Sequence, residues 1–272
     1  KLIELCLTMA YDAKVNYTDV LGSVKYWDIL IYNYLRERNI VIPQKVAHEK
    51  AEKFEGAYVK EPLVGMHKWV MSFDLNSLYP HLIMQYNISP ETLVPSEPVT
   101  GLVDKLLAGK ASNPTEHCMT PNGAFFRKDK RGFLPEIMET MYNDRTKYKK
   151  LMLQASQEYE NTKDPKLLKD ISKYNNIQMA KKISLNSAYG AIGNNYFRYY
   201  DLMIASAITT SGQLSIRWIE KSLNIYLNKL LETDNEDYVI ASDTDSVYIT
   251  FDRLVDKLFG EGTETRKVVN FL

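Results

Sequence analysis

Trp69-Val70-Met71-Ser72-Phe73-Asp74-Leu75-Asn76-Ser77-Leu78-Tyr79-Pro80 decides how the chain reads. Its apolar, β-forming first half delivers one carboxylate, Asp74, to the end of a strand. The chain then turns through Ser77 and Tyr79 into a proline suited to opening a helix. This is how a hard-cation ligand is set at the rim of a sheet. A second strand-like run, Tyr238-Val239-Ile240-Ala241-Ser242, ends in Asp243-Thr244-Asp245 and resumes as Ser246-Val247-Tyr248-Ile249-Thr250. Side chains alternate faces at period 2, so Asp243 and Asp245 are expected to point the same way from a hairpin tip. Side by side, the two strand ends would make an oxygen-only site suited to Mg²⁺.

Composition leaves room for such a site without pointing to it. With 272 residues the chain can bury a sizeable core, as one large domain or two smaller ones. Net charge is zero, so whole-molecule charge is silent on nucleic acid. Local charge is not: residues 127–182 hold 14 Lys and Arg against 8 Asp and Glu. Cys6 and Cys118 lie far apart without a CxxC, which excludes a disulfide framework or a zinc site and favours a reducing compartment. No apolar run approaches the roughly 18 residues of a membrane span, and the N-terminus is not signal-like. Beginning at Lys1 and stopping at Phe271-Leu272, the chain reads as a segment of something longer.

Taken in order, residues 1–38 are expected to be helical, with Val24, Trp27, Ile31 and Leu35 forming one packing stripe. Residues 40–43 form a short extended run, residues 54–59 a second one containing Gly56, and residues 80–86 a short helix. Residues 95–114 read as loop, and residues 117–128 as a hairpin turning at Pro121-Asn122-Gly123. Residues 135–160 and 165–188 then form two helices, joined at Asn161-Thr162-Lys163-Asp164 and ended by Gly190. They make an antiparallel hairpin about 36 Å long that projects from the body. Arg145 and Lys182 should stand level across it, with Lys149 one turn from Arg145, and Asn186 and Tyr189 on the face of Lys182. Such a cationic cluster is either a solvated face or a seat for an anion such as a triphosphate. Residues 194–200 mix aromatics, an Arg and amides, which suits either base stacking or packing under the helix expected over 202–231. Residues 254–259 read as a last helix.

Phosphoryl transfer needs little covalent help from protein, mainly metals, cations and in-line positioning. Asp74 and Asp245 would flank two divalent ions, the Leu75 carbonyl would complete the shell, and Arg145, Lys149 and Lys182 would hold a triphosphate.

Three segments resemble family B DNA polymerases, those of T4-like bacteriophages in particular. Asp74-Leu75-Asn76-Ser77-Leu78-Tyr79-Pro80 is similar to motif A, residues 182–190 (Lys-Ile-Ser-Leu-Asn-Ser-Ala-Tyr-Gly) to motif B, and Asp243-Thr244-Asp245-Ser246 to motif C, in matching order and spacing. Further similarity runs through Glu55-Gly56-Ala57, residues 87–92, Gly132-Phe133-Leu134-Pro135 and residues 197–201.

The resemblance implies an α+β fold: a polymerase palm, with a mixed or antiparallel sheet and packing helices, plus a two-helix fingers hairpin. Residues 1–45 would be the end of an exonuclease region and linker, 46–131 palm, 132–193 fingers and 194–272 palm again, with the thumb absent. It implies DNA-directed DNA synthesis with two Mg²⁺ ions, on primer–template DNA and dNTPs. It also implies a 3′–5′ exonuclease upstream, a sliding clamp reached through a C-terminal region, no membrane, and action in the host cytoplasm. Asp74 and Asp245 would be the catalytic metal ligands together with the Leu75 carbonyl, and Asp243 would support them. Ser77, Leu78 and Tyr79 would cradle the triphosphate through their backbone, and the Tyr79 ring would exclude a ribose 2′-OH. Arg145, Lys149, Lys182 and Asn186 would contact the nucleotide, Tyr189 and Gly190 the nascent pair and template, and Gly56 and Ala57 the template backbone. Three positions depart from the pattern: Ala241-Ser242 replaces the Tyr-Gly usual before motif C, bearing on primer grip, and Asn76 stands where Thr or another small polar residue is common. Competing readings are a segment that only binds nucleic acid or a replication partner, and an RNA-dependent palm-type polymerase, against which Tyr79 and the motif B set argue.

Overall fold

The computed structural model describes residues 2–46, 55–259 and 265–272. The expected N-terminal helical stretch is two helices, α1 (Leu2–Ala13) and α2 (Ser23–Glu37), parted by a 3-10 turn at Tyr17–Leu21. Lys14 ends α1 with a positive φ of 54°, and buried Asp19 is ion-paired to Lys25 at 2.7 Å. Trp27, Ile31 and Leu35 form the buried stripe of α2, with Val24 partly buried at its edge. The extended run at 40–43 joins neither sheet. Phe54 lies outside the described residues, so its expected strand begins only with β1 (Val59–Lys60).

The Asp74 stretch folds as expected into β2 (Val70–Asp74) and α3 (Leu78–Tyr86). β3 (Leu93–Val94) was not evident from the sequence, and the loop expected at 95–114 contains α4 (Leu102–Leu107). α4 is short but has tertiary support: Asp104 pairs with Arg217 at 2.6 Å and the Leu107 carbonyl accepts from Lys221. The expected hairpin is β4 (Cys118–Met119) and β5 (Phe125–Phe126), which with β3 forms a small antiparallel sheet in the order β3-β5-β4. Both cysteines carry free thiols.

The long hairpin is α5 (Phe133–Thr162) and α6 (Lys166–Ile192). Lys163 turns the chain in a left-handed conformation, and the Asp164 carboxylate accepts the Lys166 N–H at 2.9 Å. Gly190 does not end the second helix, which runs through buried Ala191 and Ile192 to Gly193. Nor does the whole hairpin project. Leu134, Met138, Leu185 and Ala188 bury its root in the main core, beneath α1, α2 and α3.

α7 (Leu202–Leu231) is capped by Asp201, which accepts from the Met203 and Ile204 N–H groups. Its N-terminal half completes the main core. Its C-terminal half covers a second one, with Ile216 and Leu227 against Val239, Val247 and Ile249. These last belong to β6 (Val239–Asp243) and β7 (Ser246–Thr250), followed by α8 (Asp252–Leu258) and α9 (Thr265–Phe271). The main sheet is antiparallel, in the order β1-β6-β7-β2. The architecture is α+β, and no helix of the described residues is long and apolar enough to cross a membrane. Within residues 194–200, Phe197 and Tyr199 are core while Tyr196 is exposed, so packing accounts for the first two aromatics.

Lys181 pins the hairpin root to the body. Nearly buried, it reaches Asp12 of α1 at 2.8 Å and Asp144 of α5 at 3.1 Å. Burial opposes its charge, but the hydrogen bonds and charges of the two carboxylates outweigh that and raise its pKa. A raised lysine pKa stabilises the fold fully below the unfolded value near 10.4 and loses that contribution only above it, so the clamp is constant around neutrality. Lys181→Met is expected to cost roughly 2 kcal/mol, because two acids then face each other unpaired. Urea unfolding at pH 7 measures the loss, and adding Asp12→Asn and Asp144→Asn should recover part of it.

Candidate active site

The main sheet brings the two acidic strand ends together. In the β2–β7 register Asp74 stands opposite Ser246, and the Leu75 N–H donates to the Asp245 carbonyl at 2.7 Å. At the hairpin tip Thr244 adopts φ 53°, a left-handed conformation that breaks the alternation of faces. Thr244 and Asp245 therefore line the cleft with Asp74, whereas Asp243, expected to point the same way as Asp245, is exposed and not part of the lining. Asp243 accepts the Thr244 hydroxyl at 2.9 Å and so supports the tip.

The cleft holds about 370 Å³. Asp74, Thr244 and Asp245 line it together with residues 76–80, Arg145 of α5, and Lys182, Leu185 and Asn186 of α6. Arg145 and Lys182, expected to stand level across the hairpin, both line this cleft. Arg145 donates to Ser77 Oγ at 3.2 Å and approaches Asn76 Oδ1 at 3.5 Å, while its buried Nε has no partner among the described residues. Neither cation forms an ion pair among the described residues. Lys149, one turn further along α5, is exposed and outside the lining.

Ser77 sits at φ 53° immediately before α3, its carbonyl accepting both the N–H and the ring Nδ1 of His81. Among the described residues no side chain caps this helix start, so its first N–H groups, at Leu78 and Tyr79, stand open at the cleft wall. The Tyr79 ring leans on Tyr189 with centroids 4.9 Å apart. Burial, then the neighbouring Tyr189 and Asp245, push the Tyr79 phenol up to about 12, so it stays a neutral hydroxyl. Tyr189 and Gly190 do not line the cleft but continue α6 beside it, and a side chain at Gly190 would meet no protein atom within 4 Å. Gly56 and Ala57 also lie outside the lining. Their segment is tied to α7, Thr209 donating to the Glu55 carbonyl at 2.8 Å and Gln213 to the Gly56 carbonyl at 2.7 Å.

The Asp245 carboxyl is raised from its ordinary pKa, chiefly by burial and then by the charges of Asp74 and Asp243. A cation between Asp74 and Asp245 would relieve that repulsion, and the donors are all oxygen, as Mg²⁺ prefers. Among the described residues no third His, Cys, Asp or Glu gathers with them into a closed cage. Such a site leaves coordination positions for water and phosphate, as an open divalent-cation site does.

Sequence reasoning missed Asn76, Pro80, Leu185 and Thr244 in the lining, and Tyr142, whose hydroxyl accepts from Asn76 at 3.3 Å. Helical spacing contained the signal for two of them: Leu185 follows Lys182 by one turn, and Tyr142 precedes Arg145 by one.

The family model described as DNA polymerase family B matches residues 22–271. The DNA-directed DNA polymerase of Escherichia phage RB69 is 37% identical over 100% of this chain and 35% of its own length. That of Enterobacteria phage T4 is 36% identical over 94% of this chain and 33% of its own. The chain therefore spans about a third of these relatives. The family B DNA polymerase from the hyperthermophilic archaeon Pyrobaculum calidifontis superposes with a TM-score of 0.62 over 94% of this chain and 31% of its own, at 23% identity, a likeness of fold. With its motifs in order and a family match over nearly all its length, this chain belongs to DNA polymerase family B.

Proposed function

We propose that this chain is the palm and fingers of a DNA-directed DNA polymerase that joins dNTPs to a primer 3′-OH and releases pyrophosphate. What supports this is a single cleft lined by two carboxylates, Asp74 and Asp245, and two cations, Arg145 and Lys182, none of them ion-paired among the described residues. In this reading residues 1–45 lead from an exonuclease domain, 46–131 and 194–272 are palm, and 132–193 are fingers. A thumb, a proofreading exonuclease and a clamp-binding segment belong to the whole polymerase, which works on primer–template DNA in the host cytoplasm.

Asp74, Asp245 and the Leu75 carbonyl would hold two Mg²⁺ ions. When bound, the ions acidify the attacking hydroxyl and neutralise charge on the leaving pyrophosphate. The protein's share is positioning. Arg145 and Lys182 draw the triphosphate under the hairpin, and Asn186 donates from the same face. The open N–H groups of Leu78 and Tyr79, at the positive end of α3, receive phosphate oxygens together with Ser77. Lys149 steers the triphosphate from outside the cleft rather than gripping it. Aligned in this way, the primer oxygen bonds to the α-phosphorus as its bond to the bridging oxygen breaks. Tyr79 crowds the sugar's 2′ position, Tyr189 and Gly190 face the nascent pair and template, and Gly56 and Ala57 touch the template backbone. Asp243 supports Asp245 through the hairpin tip.

Steady-state primer extension by the full-length polymerase tests the reading. Arg145→Ala and Lys182→Ala should each raise the KM for dNTP about tenfold or more, since each removes one charge-assisted contact to phosphate. DNA binding without any Mg²⁺-dependent extension by the unaltered protein would instead favour a purely nucleic-acid-binding role.

A further inference from the structure

We propose that Gly212 of α7 sets how far the Tyr79 ring reaches into the cleft, which makes it a positioning residue for sugar selection. The inference rests on the reading of Tyr79 as the sugar gate. A Cβ at position 212 would stand 3.0 Å from Tyr79 Cε1, with Leu78 Cδ2 at 3.7 Å and Tyr79 Cδ1 at 3.8 Å. Gly212 is buried in the interior of a 30-residue helix, where glycine is about 1 kcal/mol worse than alanine. Helix propensity thus opposes glycine here, and the ring packed flush on the backbone supplies the opposing reason.

The helix has little freedom to retreat from the ring. In the same turn, Thr209 and Gln213 hydrogen-bond the Glu55 and Gly56 carbonyls. Ile208 and Ile216, one turn to either side, are fully buried. A methyl group added at 212 is therefore accommodated by the ring. Held by α7 behind and by Tyr189 beside, the ring yields toward the cleft, into space the sugar occupies. The glycine that lets Tyr79 lie back also keeps the gate open to a 2′-deoxy sugar.

A two-by-two cycle of Gly212→Ala and Tyr79→Ala in the full-length polymerase tests this, reading kcat and KM separately for dNTP and for rNTP. With Tyr79 present, Gly212→Ala should raise the KM for dNTP about five- to tenfold, change kcat far less, and lower ribonucleotide use further. In the Tyr79→Ala background the same change should be silent, because the ring it displaces is gone. An unaltered or higher unfolding temperature for Gly212→Ala would show that the fold is intact. An unchanged KM with Tyr79 present, or an equal rise in both backgrounds, overturns the inference. If Tyr79→Ala fails to relax ribonucleotide rejection, the gate reading falls by itself, and coupling in the dNTP KM still reports whether Gly212 acts through the ring.

Discussion

Asp245→Asn is expected to abolish nucleotide incorporation while leaving the fold slightly more stable at neutral pH. The loss should be about a thousandfold or more in kcat, the scale on which preorganised electrostatic groups act. The gain in stability has a separate origin. Asp245 is held above its ordinary pKa by burial and by the charges of Asp74 and Asp243, so the native state disfavours its ionised form. A carboxyl with a raised native pKa penalises the fold only where the unfolded chain would be ionised. The penalty is absent below about pH 4, grows as pH rises through the native pKa, and is constant above it. The amide removes the charge, so its advantage should be present at pH 7 and vanish below about pH 4. The group is partly solvated, so screening limits the gain to roughly 0–1 kcal/mol. Thermal unfolding with and without Mg²⁺ supplies the complement. The unaltered protein should gain stability on adding the ion, and Asp245→Asn should gain less. A variant that loses both activity and stability at pH 7 would mark Asp245 as a structural residue.

Tyr79→Ala is the second large effect. The ring is backed by Gly212, leans on Tyr189 and lines the cleft beside Asp74, so its removal opens the space over the sugar without touching the carboxylates or cations. Preference for dNTP over rNTP should fall by roughly 10²-fold in kcat/KM, mainly through better ribonucleotide use. Competition assays with matched nucleotide pairs measure it, and an unchanged preference removes the gate. Because the phenol stays neutral, with a pKa of about 12, the preference should not vary between pH 6 and 9.

Part of the candidate site was legible from local rules, while Ser77, Leu78 and Tyr79 entered it only through the family resemblance. Strand periodicity brought Asp74 to a strand end, and near-equal spacing from the turn at Lys163 pointed to Arg145 and Lys182 facing one cleft, whose lining includes both. What stayed hidden depended on single backbone conformations or distant partners. Thr244 at φ 53° breaks the alternation that would have turned Asp243 into the cleft beside Asp245. Gly190 looked like a helix stop, but burial of Ala188, Ala191 and Ile192 against the core carries α6 past it. α4 owes its existence to Arg217 and Lys221, more than 100 positions away; only the positive-φ glycines at 101 and 109 that bracket it were local signs. Lys149 belongs to the basic face but lies a turn beyond the cleft, a distinction that charge and spacing alone do not make. The contact of Gly212 with Tyr79 joins two elements with no shared pattern.

On the proposed function, Asp74 and Asp245 share divalent cations with a triphosphate held by Arg145 and Lys182. Anomalous scattering from Mn²⁺ in crystals of the full-length polymerase, bound to primer–template and a nonhydrolysable dNTP, tests it most directly. Metal peaks are expected to touch both carboxylates and the triphosphate oxygens, with Arg145 and Lys182 on the phosphates. Peaks held by other residues, or a triphosphate lodged outside this cleft, would contradict it.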